Sequence, residues 1–147
     1  MLHVTYEAAE DLEPGRLARI EEDRGRLCVK LDKFAPLAAV LDQLNVEMAH
    51  FLERADWYQL WGSEIASRHN PKAPIRLEFI PLPGAPNGAA IFEELGTVHI
   101  YVEPTLNVEQ FVAALNPAVK DFLASGCWFQ LYAGEIIDHN PESMSQV

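Results

Sequence analysis

The reading of FLERADWYQLWGSEIASRHNP, residues 51–71, decides the fold, because the phrase returns as FLASGCWFQLYAGEIIDHNP at residues 122–141. Sliding the chain against itself by the 71 positions that separate Phe51 from Phe122 gives an ungapped match from Gly25 to Ile65. Identical pairs include Gly25/Gly96, Leu44/Leu115, Asn45/Asn116, Leu52/Leu123, Trp57/Trp128, Gln59/Gln130, Leu60/Leu131, Glu64/Glu135 and Ile65/Ile136. One deletion then aligns His69-Asn70-Pro71 with His139-Asn140-Pro141. Val29/Ile100, Asp32/Glu103, Tyr58/Phe129 and Trp61/Tyr132 keep the chemistry between identities, and Val4/Ile75, Glu7/Glu78, Ile20/Ile91 and Glu22/Glu93 extend the same offset upstream. A match of this length reads as a duplicated structural unit.

Two copies read together sharpen the secondary structure. LHVTYE and IRLEFI alternate like strands. RLARIEEDRGRLCVKLD reads as two strands around Asp23-Arg24-Gly25, and AAIFEELGTVHIYVE turns at Leu95-Gly96, with Gly at the like position in each. Leu37, Leu41, Leu44, Met48, Phe51 and Ala55 recur every three or four residues as one apolar helix stripe, with Pro36 in its first turn. Val108, Phe111, Val112, Leu115, Val119, Phe122 and Leu123 do the same in the second copy. There, Asn107 with Gln110 makes a capping box, Pro117 predicts a kink or restart with Asn116 as a new cap, and Gly126 a stop. A hairpin follows each helix, turning at Gly62-Ser63 and at Ala133-Gly134, and His-Asn-Pro closes each unit as a turn.

The expected architecture is α+β: internally duplicated strand-strand-strand-helix-hairpin units with pseudo-twofold symmetry and mostly antiparallel sheet. Residues 1–71 form the first unit, 72–141 the second, together one compact domain, and 142–147 a flexible tail. With 147 residues, 49% of them hydrophobic, the chain can bury a core. No run approaches the roughly 20 apolar residues of a membrane span, and MLHVTYEAAED lacks a signal-peptide layout. The net charge is −11, with acidic residues crowded into the first 23 positions and no basic stripe to displace counterions from nucleic acid. The composition therefore predicts a cytoplasmic protein with no nucleic-acid or membrane partner, whose Cys28 and Cys127 are buried free thiols.

Chemical motifs are sparse. VEMAH (Val46–His50) carries the second half of the H-E-x-x-H zinc signature, but Val46 stands where the first histidine is needed. Glu47 and His50, with Gln43 and Arg54, read as a solvated helix flank. His3, His50, His69, His99 and His139 show no ligand spacing, and neither cysteine has a neighbouring base. PLPGAPNGAA, residues 81–90, lacks phosphate-loop spacing and reads as a mobile loop. No catalytic set, metal site or cofactor is expected.

The doubled feature is W-x-Q-x-W/Y. On a strand, alternate residues share a face, so Trp57, Gln59 and Trp61 go together, as do Trp128, Gln130 and Tyr132, with Glu64 and Glu135 across each turn. Aromatics around one amide suit a partner or ligand wall. They equally suit an inter-unit core in which the two Gln pair. Read from Leu27, the order strand, helix, hairpin, strand resembles the module of the vicinal-oxygen-chelate fold of glyoxalases and bleomycin-resistance proteins. It is also similar to the duplicated unit of GyrI-like effector-binding domains. The first resemblance implies a metal-dependent lyase or dioxygenase, although His99 stands opposite Cys28 between the copies. The residues themselves favour a non-catalytic binding module for a protein partner or small molecule. The acidic excess leaves an inhibitor or immunity role, and like units leave a homodimer, as further arrangements.

Overall fold

A computed structural model describes residues 3–23, 26–55, 57–61, 64–65, 76–94, 97–125, 128–132 and 135–138. Strands β1 (His3–Ala9), β2 (Ala18–Asp23) and β3 (Arg26–Asp32) precede helix α1 (Leu37–Ala55) and the strands β4 (Trp57–Trp61) and β5 (Glu64–Ile65). The same order returns as β6 (Arg76–Pro81), β7 (Ala89–Glu94), β8 (Thr97–Val102), α2 (Val108–Ser125), β9 (Trp128–Tyr132) and β10 (Glu135–Asp138). The protein is thus α+β, with each three-stranded sheet followed by a helix, an arrangement consistent with a duplicated unit. The His-Asn-Pro turns, the glycines at the two sheet turns, Gly126, Cys127 and the tail fall outside the described residues.

The three-stranded sheets run β1-β3-β2 and β6-β8-β7. Each is mixed, within a fold whose described strand pairings are mostly antiparallel: β1 lies parallel to β3 and β6 parallel to β8, while β2 and β7 pair antiparallel with the same central strands. The cause is the connection through residues 10–17, which carries the chain from β1 past the place of β3 so that the β2–β3 hairpin folds back between them. Register corrects the upstream alignment. Tyr6 lies opposite Val29 and Phe79 opposite Ile100, so Tyr6 corresponds to Phe79, 73 positions on, and not to Leu77. From Tyr6 to Ile20 is 14 positions and from the equivalent Phe79 to Ile91 is 12, so the second unit is two residues shorter between equivalent positions.

Alternation explains the core. Leu27, Val29 and Leu31 point inward from β3, and Val98, Ile100 and Val102 from β8. They meet Leu37, Leu41, Leu44, Met48 and Phe51 of α1 and Val108, Phe111, Leu115 and Val119 of α2 in one cluster spanning both units. Tyr6, Phe79 and Phe111 form an edge-to-face chain through it, with centroids 6.1 and 6.2 Å apart. The capping box forms: Gln110 N–H donates to Asn107 Oδ1 at 2.8 Å and Asn107 N–H to Gln110 Oε1 at 3.0 Å. Pro36 caps α1 from outside, its carbonyl accepting from Val40 N–H at 3.1 Å. No restart occurs at Pro117, since α2 runs through it on an exposed face, where water can reach the freed carbonyl.

The module behind the chelate-fold resemblance does not assemble as one sheet. Its strands β3, β4–β5 and β6 lie in three different sheets. The hairpins make the third, ordered β10-β9-β4-β5.

Candidate functional site

Backbone register builds the site. β4 and β9 pair antiparallel, with Trp57 opposite Gln130, Tyr58 opposite Phe129, and Gln59 opposite Trp128. Glu64 lies opposite Trp61 in the first hairpin and Glu135 opposite Tyr132 in the second. Directly opposed residues of an antiparallel pair belong to one face, and so do alternate residues of a strand. All eight sequence-predicted positions, Trp57, Gln59, Trp61, Glu64, Trp128, Gln130, Tyr132 and Glu135, therefore fall on one face of a single ladder. Tyr58, Leu60, Ile65, Phe129, Leu131 and Ile136 fall on the other. Each Gln is the register partner of a Trp from the other unit.

Asn45, to which the sequence assigned no role, and Asn116, expected there as a new helix cap, instead lock the units together. Tyr6 N–H donates to Asn116 Oδ1 at 2.8 Å and Asn116 Nδ2 donates to the Tyr6 carbonyl at 2.9 Å. Phe79 N–H donates to Asn45 Oδ1 at 2.7 Å, and Asn45 Nδ2 to the Phe79 carbonyl at 3.0 Å. Each helix thereby satisfies the free edge of the other unit's sheet, β1 or β6, with an amide that copies a strand's donor and acceptor. The available signal was an identical Asn in mid-helix, where the residue is disfavoured without a partner.

Between the sheets, at the ends of the helices from which β4 and β9 leave, sits an apolar cavity of ≈ 80 Å³. Tyr6, Met48, Phe51, Ile100, Val119 and Phe122 are among its lining residues. Burial pushes the Tyr6 phenol far above the usual tyrosine range.

The remaining sequence candidates lie elsewhere. His50 is exposed on α1, as expected. Gln43 is half-buried and not a free solvated side chain: its Oε1 accepts from the backbone N–H of Leu17 and, at 2.9 Å, of Ala18. Residues 82–88 are held by backbone hydrogen bonds and by Gly84 N–H donating to Glu103, which draws the Glu103 carboxyl below its usual range. Cys28 is half-buried on the outer face of the first sheet. Burial, then Glu7 beside it, raises its thiol. Among the described residues no three His, Cys, Asp or Glu gather as metal ligands, and no helix is long and apolar enough to cross a membrane. No family model matches the chain, and neither a curated protein nor a solved structure matches it.

Proposed function

We propose that the chain is a non-catalytic binding module, two like units about a pseudo-twofold axis, and that it takes a protein partner or small molecule on the Trp–Gln face of its hairpin sheet. The observation that carries this reading is the β4–β9 register, which gathers four aromatics, two amides and two carboxylates at positions of one face. Aromatics supply contact area at low entropic cost, amides fix direction, and the flanking Glu64 and Glu135 favour a partner with positive or hydrogen-donating groups.

The register also supports the axis. Tyr58 and Phe129, equivalent by the repeat, are each other's strand partners, and an antiparallel pair centred on equivalent residues is what a twofold operation generates. The reciprocal Asn45–Phe79 and Asn116–Tyr6 bonds support the same operation, being the pair of contacts it would generate.

Trp57, Trp61 and Trp128 are all the tryptophans of the chain, so intrinsic fluorescence reports this face alone. An open binding face gives red-shifted emission that acrylamide quenches readily in the full chain. Blue-shifted emission that resists quenching would put the tryptophans in the core and remove the site. Stoichiometric zinc, iron or manganese in the purified protein would replace the reading with a metal-dependent enzyme.

A further inference from the structure

The two three-stranded sheets offer a comparison within one molecule, because β2–β3 and β7–β8 correspond at the repeat offset and β1 corresponds to β6 through register. Their inward faces carry the same chemistry, Leu27, Val29 and Leu31 against Val98, Ile100 and Val102. Their outward faces do not. The first presents Glu7, Arg19, Glu21 and Lys30, with Arg19 and Glu21 paired at 3.0 Å, as expected of a face that meets only water. At the corresponding positions the second presents Ile80, Ala90, Phe92 and Tyr101.

Phe92 is 58% exposed and meets Tyr101 edge-on at 5.7 Å. Tyr101 in turn lies 6.3 Å from His99, which sits between Glu78 and Phe92 in register. An open row of rings beside a carboxylate is the arrangement that holds a cationic side chain, whose charge sits over a ring while its donors reach the acid. Of the occupants this face could take, a second copy brings another −11 charges, and repulsion opposes it. A positively charged partner is drawn in by the same field.

We propose that the outer face of the second sheet is a docking surface for an arginine-bearing protein segment, with the Phe92 and Tyr101 rings and the Glu78 carboxylate as the receiving groups. This surface is separate from the hairpin face and stands or falls independently of it.

The test titrates the full chain, isotope-labelled, with an acetylated Arg-Gly repeat peptide and with its citrulline-Gly counterpart, which keeps the shape and loses the charge. Amide shifts are expected at residues of β7 and β8 around Phe92, His99 and Tyr101 with the arginine peptide only. Phe92→Ser is expected to weaken binding roughly two- to fivefold, the worth of one exposed cation–ring contact. Being a change at an exposed position, it should leave the circular-dichroism spectrum as it was. Glu78→Gln should also weaken binding, whereas Glu21→Gln on the first sheet should not. Shifts spread over the acidic surface, an equal loss with Glu21→Gln, or binding unchanged in Phe92→Ser would overturn the proposal. So would a wild-type dimer that Phe92→Ser converts to monomer, since the patch would then be covered by another copy.

Discussion

Replacing Asn116 by Ala tests the inter-unit lock. The side chain makes two hydrogen bonds, at 2.8 and 2.9 Å, to both backbone groups of Tyr6 on a strand edge that no other strand covers among the described residues. A typical bond contributes about 0.5–1.5 kcal/mol net, and a buried group left unpaired costs about 1–3 kcal/mol. Alanine returns roughly 0.5 kcal/mol through helix propensity. The site is part-buried, so water regains some of what the amide gave, and the expected loss is about 2–3 kcal/mol. For a chain of this size that lowers Tm by roughly 5–10 °C. Urea unfolding should show an earlier midpoint with an unchanged slope, and native-state amide exchange at Tyr6 should accelerate. Asn45→Ala removes bonds of 2.7 and 3.0 Å to Phe79 and should cost the same within a factor of two, with faster exchange at Phe79. A change below about 0.5 kcal/mol in either variant, the level of an ordinary surface substitution, or a large asymmetry between the two, would refute the lock.

Gly88→Ala should destabilise by more than Gly84→Ala in the same urea assay. Both glycines have φ above +80°, but only at Gly88 would a Cβ meet neighbours, Leu106 Cδ1 at 3.1 Å and Ala114 Cβ at 3.2 Å. Equal losses would mean that backbone strain alone matters. Burial raises the Tyr6 phenol, so its neutral form contributes stability that is fully present below the ordinary tyrosine range and is lost as pH rises beyond it. Tyr6→Phe should therefore change the urea midpoint little at neutral pH and protect the protein in alkali above pH ~10; no protection would show that the phenol ionises without unfolding.

The sequence pattern made the core legible because period and burial agree: strands β3 and β8 alternate, and the α1 and α2 stripes recur at helical spacing. The hairpin face was legible in part. Alternation alone places Trp57, Gln59 and Trp61 together, but only the pairing of β4 with β9 brings them onto one face with Trp128, Gln130 and Tyr132. That pairing joins residues 69 to 73 apart, and no local signal specifies which strands meet. Order within the sheets was illegible for the same reason. β1 and β6 look like any alternating strand, and their parallel placement depends on how far the following connection carries the chain. At Pro117 local propensity pointed the wrong way, since an exposed turn of helix tolerates proline when the freed carbonyl faces water.

Gln43 and Gly88 concern the same junction, the entry into the second strand of each sheet, and explain why the second escaped reading from the first. In both units this junction accepts a backbone hydrogen bond from the end of the central strand: Asp32 N–H to Leu17 O at 2.9 Å, and Glu103 N–H to Gly88 O at 3.0 Å. In the first unit the helix flank reaches the junction with a long polar side chain, Gln43, which satisfies two backbone donors. In the second the equivalent helix position is Ala114, and the backbone itself comes in, as a short 3-10 turn through Pro86–Gly88 that ends on a glycine at φ +87°. At the repeat offset only Ala18 and Ala89 match here, while Leu17 stands against Gly88 and Gln43 against Ala114, so comparing the copies does not reveal the shared junction. The geometry they maintain is nevertheless the same, because both answer one requirement: the backbone entering the middle of the fold must have its donors and acceptors paired.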